Sequence, residues 1–469
     1  MRSAMKVAAV AVSLAVSTMG ALGQDTKAPM AIPTSEATPQ AGQVYVPASN
    51  REMAGRAHTT YMIRSTDGSK PMALKAPTAL STVGPLSTTE EAETPQSLGC
   101  LYVKSPSSSG CIPNYNAGSG GPTNLGYGAI VLVDAYDNPD AASDLSNFDG
   151  YWGLPAATFV KVYANGNGDC TTPPPDAGWS VESSMDIEYA HVFAPKAAIV
   201  LVEACSASWT DLLYAEQVAF NYIITNYPAG GQVSNSWQGG EFSGQTADDA
   251  LFADFTYNWQ DSYKTPILAF ASSGDGGYGV GYPSTNPWLI SAGGTSILRK
   301  TTNLAYSSES CWGGSGGGAS TVESFSASWT GGGNTGSWAD FQYPIFGQNY
   351  RTTPDMSFDA DPASGAWVYS LYGMGGWGVV GGTSLASPSL AGIVNRAGNK
   401  IGSVFLTNAT SGLDYFNAGE NNLLYSQLAA VTAYKNNFYD VKTGSNGVSA
   451  TSSWDYCTGV GSPRGLLGK

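Results

Sequence analysis

Apolar residues in this chain gather in short runs: Ala129–Val133, Phe159–Val162, Ala197–Val202, Ile267–Phe270 and Leu289–Ala292. Each has the length of a strand, and several are rich in Val and Ile. Most are continuous rather than alternating, which predicts strands buried on both faces. Between these runs the spacing changes. Leu212, Leu213, Ala215, Val218, Ala219, Tyr222 and Ile223 recur largely every three or four positions, which predicts a helix capped by Asp211. A second helix is expected from Ser384 through Leu385, Leu390, Ile393 and Val394. Strands alternating with helices predict an α/β domain with a mostly parallel central sheet and helices on both faces. In such a sheet the active site lies beyond the carboxyl ends of the strands.

Texture also divides the chain. Residues 1–23 read as a secretory signal, with Arg2 and Lys6, the apolar stretch Val7–Val16 and the small-residue site Ala21-Leu22-Gly23. That stretch is shorter than the ~20 residues needed to span a bilayer. A secreted, extracellular protein is expected, with no membrane contact after signal cleavage. Residues 24–97 are rich in Ala, Pro, Thr and Ser and read as a short pro-segment or linker, partly disordered. Residues 98–469 read as one domain. An even set of cysteines in an exported chain (Cys100, Cys111, Cys170, Cys205, Cys311 and Cys457) favours disulfides. The short Ser-, Pro- and Gly-rich loop singles out Cys100–Cys111. No CxxC spacing suggests zinc.

Charge narrows the function. The chain has 21 Lys+Arg against 36 Asp+Glu, a net −15, which leaves no electrostatic footprint for nucleic acid or anionic lipid. Only 12% of its 469 residues are charged, against the usual ~25%, which suits acidic surroundings. Histidine is limited to His58 and His191.

The sharpest chemical signal is Gly381-Gly382-Thr383-Ser384-Leu385-Ala386-Ser387-Pro388. Glycines precede a serine at a strand-to-helix junction, with the proline expected in the first turn. A serine there is exposed to backbone N–H groups and positive potential, which suits a nucleophile or an ordinary cap. Histidine is the usual base for such a serine. His58 lies in the leader, however, and His191 reads as a packing residue at a helix end. Glu182 and Asp186 share one helix face about 6 Å apart. Two adjacent, partly buried carboxyls hold one proton between them and can shuttle it. Asp275, in Ser273-Gly274-Asp275-Gly276, ends a strand. When protonated it can donate a hydrogen bond to an oxyanion.

These three segments, in this order, resemble the sedolisin family of serine-carboxyl peptidases, from about Tyr127 to Gly465. The match continues through Tyr278-Gly279, Tyr282-Pro283 and Gly293-Gly294-Thr295-Ser296. The resemblance implies a subtilisin-like three-layer domain that lacks the His-Gly-Thr-His segment of subtilisins. It implies Glu182 as general base, Asp186 as the carboxylate sharing its proton, Ser384 as nucleophile and Asp275 as oxyanion acid. Asp134 matches a position that extends the proton network. Trp237 matches a tryptophan beside the glutamate, with the preceding strand walling the substrate cleft. One structural Ca2+ is implied on Asp440 and Asp455 and the carbonyls of Val441, Thr451 and Ser453. Oxygen donors of that kind suit a hard cation.

The expected function is an acid-active endopeptidase, monomeric, acting on protein or peptide substrates through a Ser384 acyl-enzyme. Rival expectations are an inactive secreted binding protein on the same fold, and a tripeptidyl-peptidase, aminopeptidase or esterase. The chain departs from the family pattern at Gly381 and Gly276, where serine is commoner, and at Thr451 and Ser453, where glycine is commoner. Its leader is also shorter than a folded pro-domain.

Overall fold

In the computed structural model the described residues are 43–65, 92–103, 125–256, 265–300, 306–324, 342, 350–398, 424–425, 427–428 and 431–469. The signal stretch lies outside them. So does Cys111, although Cys100 is disulfide-bonded. Two further disulfides join Cys170 to Cys205 and Cys311 to Cys457.

Along the chain come β1 (His58–Thr59), β2 (Met62–Arg64), α1 (Pro95–Tyr102), β3 (Ala129–Ala135), α2 (Ala141–Trp152) and β4 (Thr158–Ala164). Then follow α3 (Ala177–Phe193), β5 (Ala198–Ala204), α4 (Trp209–Asn226), β6 (Gly231–Asn235), β7 (Trp237–Gly240) and β8 (Ile267–Ser272). The second half contributes β9 (Ile290–Arg299), β10 (Tyr306–Cys311), β11 (Met356–Asp359), β12 (Ala366–Ser370), β13 (Gly376–Gly381) and α5 (Thr383–Ala397). The central sheet has eight strands in the order β10-β9-β8-β6-β3-β5-β4, with β11 also paired to β9. All its pairs are parallel except β9–β10.

Three layers follow from how each strand divides its side chains. Ile130, Leu132, Ile199, Leu201, Leu268 and Phe270 face a core shared with α2, α3 and α5. Val131, Val133, Val200, Val202, Ala269 and Ala271 face the opposite core, shared with α4. Both faces are covered in the inner strands, so those runs are continuous in sequence, whereas the edge strand β4, with the run Phe159–Val162, stays half-exposed. The fold is three-layer α/β. Two local expectations need correcting. Ser208, not Asp211, caps α4: its side chain accepts from the Asp211 N–H. A hydroxyl there satisfies an unpaired first-turn donor, and Asp211 sits inside the turn. Pro388 lies in the second turn of α5 rather than the first.

The stretch read from composition as a leader contributes elements of its own. β1 pairs antiparallel with β7, and β2 pairs antiparallel with β13. Val44–Tyr45 pairs with β2 in turn.

Candidate active site

Four elements bring the predicted residues together: α3, the amino end of α5, the loop after β8 and the carboxyl end of β3. In α3 every residue from Trp179 to Phe193 is buried. A helix enclosed on all sides ordinarily carries few charges, yet this one carries Glu182, Asp186, Glu188 and His191. Its approach to α5 depends on Gly392, where a Cβ would lie 2.7 Å from Phe193 Cβ and 3.0 Å from the Ala190 carbonyl oxygen.

Ser384 Oγ donates to Glu182 Oε2 at 2.9 Å. Asp186, one turn further along α3, accepts from Ser236 Oγ at 2.9 Å through Oδ1. Glu182 and Asp186 are within hydrogen-bonding reach of each other. Glu182 Oε1 and Asp186 Oδ2 have no donor among the described residues. Both oxygens are therefore open to a proton. Burial pushes both groups well above the ordinary carboxyl range, and neighbouring negative charge from Asp134 pushes them further. Asp134 is itself fully buried, with both oxygens lacking a partner among the described residues, and burial raises it to about 8.

Pro388 has a local consequence that its position explains. Lacking an N–H, it cannot bond the carbonyl of Ser384 four residues earlier. Ser236 Oγ lies 3.2 Å from that carbonyl instead. Ser236 therefore links the backbone of the nucleophile position to Asp186. The sequence reading missed it, because nothing in Asn235-Ser236-Trp237 signals which helix it will meet.

Asp275 sits across from the pair. Gly274 N–H donates to Thr383 Oγ1, so the threonine's own proton goes to Asp275 Oδ1, at 2.9 Å. Thr383 N–H donates to the same oxygen at 2.8 Å. Oδ2 is left without a partner and carries the proton when the group is neutral. Burial raises Asp275 to about 7, so it is neutral in acid.

Extended backbone already runs past Ser384. Ser384 N–H donates to the Thr60 carbonyl at 3.0 Å, and Thr60 N–H donates to Ser384 Oγ at 3.2 Å. Thr60 Oγ1 lies 2.8 Å from both Ser384 Oγ and Ser272 Oγ. Room for this comes from Gly382, whose φ is +121° and whose Cβ would fall 2.3 Å from Thr60 O and 2.6 Å from Asp275 Oδ2.

The histidines take no part in the Ser384 cluster. His191 is fully buried, bonded through Nε2 to the Pro155 carbonyl at 2.7 Å, and burial lowers it to about 4. His58 Nδ1 lies 2.9 Å from the Thr59 carbonyl oxygen. Trp237 is also fully buried, but its indole donates to the Val133 carbonyl at 2.9 Å and packs on Trp209. The strand that lines the passing backbone is β7, which begins at Trp237, and not the strand before it, which lies inside the central sheet.

The C-terminal positions also converge. Asp440 Oδ1 accepts from Ser453 N–H at 2.8 Å, and Asp455 Oδ2 accepts from Thr451 N–H at 3.1 Å. Asp455 Oδ1 accepts from the N–H groups of Cys457 and Thr458, both at 2.9 Å. Ser453 holds φ at +77°, the conformation a glycine would adopt freely. Lys442 Nζ lies 2.7 Å from Asp440 Oδ2, a cation already seated on that carboxylate from a half-exposed side chain. Among the described residues no cluster of three or more His, Cys, Asp or Glu could hold a metal. A cation here would depend on two carboxylates and carbonyl oxygens, a set that fits Ca2+.

The chain is similar in sequence and fold to known proteins. No family model matches the chain. Kumamolisin from Bacillus sp. (strain MN-32) is 28% identical over 359 residues, covering 72% of this chain and 58% of that protein. Sedolisin from Pseudomonas sp. (strain 101) is 33% identical over 196 residues, 39% of this chain and 29% of that one. Xanthomonalisin from Xanthomonas sp. (strain T-22) is 26% identical over 382 residues, 71% of this chain and 42% of that one. The chain is thus similar to members of the sedolisin family over most of its length. A solved structure of Pseudomonas sedolisin, described as a serine-carboxyl proteinase bound to two molecules of pseudo-iodotyrostatin, aligns with a TM-score of 0.57. That alignment is 24% identical and covers 80% of this chain and 95% of that one, which establishes the sedolisin-like fold. The matches span 58%, 29% and 42% of the curated sedolisin-family relatives.

Proposed function

We propose that this protein is a secreted serine-carboxyl endopeptidase that hydrolyses peptide bonds in acid. The observation that carries the reading is the 2.9 Å bond from Ser384 Oγ to Glu182 Oε2, backed by a carboxyl pair that accommodates one proton. Ser384 is the nucleophile. Glu182 accepts its proton, and Asp186 holds the pair's shared proton and orients Glu182. Asp134, neutral in acid, limits the negative charge beside them. Asp275, protonated on Oδ2, donates to the developing oxyanion together with Ser384 N–H. Trp237 positions the start of β7, the edge on which an extended substrate pairs.

Endopeptidase action is favoured over tripeptidyl-peptidase action by the bound segment. Chain continues beyond Thr60 on both sides. Upstream, Ala57 N–H donates to Ala207 O at 2.9 Å, and Arg56 bridges Ser208. A site that closed three residues before the reacting bond would have no room for Arg56.

The carboxylates of Asp440 and Asp455, with the carbonyls of Val441, Thr451 and Ser453, would hold one Ca2+. When bound it supplies a structural cross-link between the two arms of the loop. The chain's own Asp residues meanwhile fix that loop through the backbone N–H groups described above.

The test is casein hydrolysis across pH by wild type and Ser384→Ala. Wild-type activity should peak at roughly pH 3–5 and fade towards neutrality. Ser384→Ala should lose turnover while keeping its circular dichroism spectrum. Activity rising steadily to pH 8, or a fully active Ser384→Ala, would overturn the proposal.

A further inference from the structure

We infer that Asn446 is a positioning residue for Asp275: its side chain fixes the loop that holds the oxyanion acid in place. This rests on the peptidase reading above, in which Asp275 donates to the oxyanion.

The segment around Asp275 cannot place itself. β8 ends at Ser272, and glycines follow at 274, 276, 277 and 279. So many glycines leave a chain conformationally free unless its neighbours restrain it. Thr383 holds one carboxyl oxygen of Asp275. The backbone on either side is held by a second loop, residues 313–317. Before Asp275, Gly316 N–H donates to the Gly274 carbonyl at 2.7 Å, and Ser273 Oγ donates to the Gly316 carbonyl at 2.9 Å. After it, Gly277 N–H donates to the Gly314 carbonyl at 2.8 Å. Gly279 and Gly317 then exchange N–H bonds at 2.9 and 2.7 Å.

The second loop is also mostly glycine, at 313, 314, 316 and 317, so it needs a restraint of its own. Asn446 supplies one. Its Nδ2 donates to the Ser315 carbonyl at 2.9 Å and to the Tyr456 carbonyl at 3.0 Å. Its Oδ1 accepts from Val448 N–H at 3.2 Å. A buried side-chain amide with both its donors and its acceptor bonded has one setting. The Asn446 carbonyl meanwhile accepts from Tyr278 N–H at 2.6 Å, three residues beyond Asp275. Asn446 thus grips the Asp275 segment through its backbone and the supporting loop through its side chain. Gly277 allows the three backbones to stack: its φ is +78°, and a Cβ there would lie 2.9 Å from the Asn446 carbonyl oxygen and 3.2 Å from that of Gly313.

Other attachments do not depend on this amide. Ser315 Oγ donates to the Cys457 carbonyl at 2.8 Å, and Cys311 is disulfide-bonded to Cys457. Asn446→Ala therefore keeps the loops together but deprives the Ser315 and Tyr456 carbonyls of the amide donor. The supporting loop then shifts and takes Gly274 and Gly277 with it, which moves Asp275 Oδ2 off the oxyanion. A misplacement of about 1 Å can cost about 10²-fold in rate.

The experiment is a double-mutant cycle on hydrolysis of a fluorogenic peptide in acid. Asn446→Ala should lower kcat about 10–10²-fold and change KM by less than about 2-fold. In an Asp275→Ala background the same replacement should lower kcat by less than about 3-fold, because the group it positions is gone. Asn446→Asp, protonated in acid and keeping one O–H donor, should fall between wild type and Asn446→Ala. It also carries the cycle if the Ala variant does not fold. Equal losses in the two backgrounds, a loss confined to KM, or undiminished kcat in Asn446→Ala would overturn this inference and leave the peptidase reading standing. Folded wild type that cuts neither this peptide nor casein at any acidic pH would overturn the peptidase reading instead.

Discussion

Asp275 shows how one residue's chemistry is set by its neighbours. Thr383 donates twice to Oδ1, which favours the ionised form, yet burial outweighs this and holds the group at about 7. It therefore donates below that pH and loses its proton as pH rises through it. Activity should fall on the alkaline side as Asp275 ionises. Asp275→Asn keeps a donor that cannot ionise, so its pH–kcat profile should extend further towards alkaline pH. Asp275→Ala removes the donor and should lower kcat by about 10²–10³-fold. An Asp275→Asn profile superimposable on wild type would assign the alkaline limb to another group.

At the scale of elements, the site depends on how closely α3 and α5 approach. They carry the two ends of the Ser384–Glu182 bond, and Gly392 lets them meet. Replacing Gly392 by Leu would gain about 0.8–1 kcal/mol in helix propensity. Overpacking against Phe193 and the Ala190 carbonyl costs about 1–3 kcal/mol, and Leu lies at the upper end. The clash wins. Gly392→Leu should lower the urea midpoint and also reduce kcat, because the Ser384–Glu182 bond lengthens when the helices part. Unchanged stability would show that the neighbouring turn of α3 gives way freely.

Across the whole molecule, buried carboxyls set the response to pH. Burial raises Asp144 and Asp149 to about 7, Asp134 and Glu216 to about 8, and Glu203 and Asp249 to about 9. Unfolded carboxyls titrate near 4. Between these values the folded state binds more protons than the unfolded state, so stability falls as pH rises. His191, lowered to about 4, acts the other way between 4 and its ordinary 6.5, but it is one group against several. Tm should be highest near pH 4 and decline towards pH 8. If Asp440 and Asp455 hold Ca2+, chelation with EDTA should lower Tm further at each pH. An EDTA-insensitive melt throughout would argue against the metal.

What the sequence settles by itself is local. Continuous Val- and Ile-rich runs specify strands with both faces covered, and all five became strands of the central sheet. The glycines before Ser384 mark a turn into a helix, and the spacing of Glu182 and Asp186 puts them on one face. These features are fixed by period and backbone sterics, which neighbouring residues supply. Ser208 displaced Asp211 as a cap because both are suitable chemically and only the helix's true first turn decides. Tertiary structure alone determined the rest. The orphaned oxygens of Glu182 and Asp186, the Ser236 bridge and the seat of Asp275 all join residues far apart in sequence. The course of Arg56–Arg64 through the cleft was least legible. An extended segment pairs through backbone groups that every residue carries, so its composition reads as a leader until two sheet edges and a nucleophile stand on either side of it.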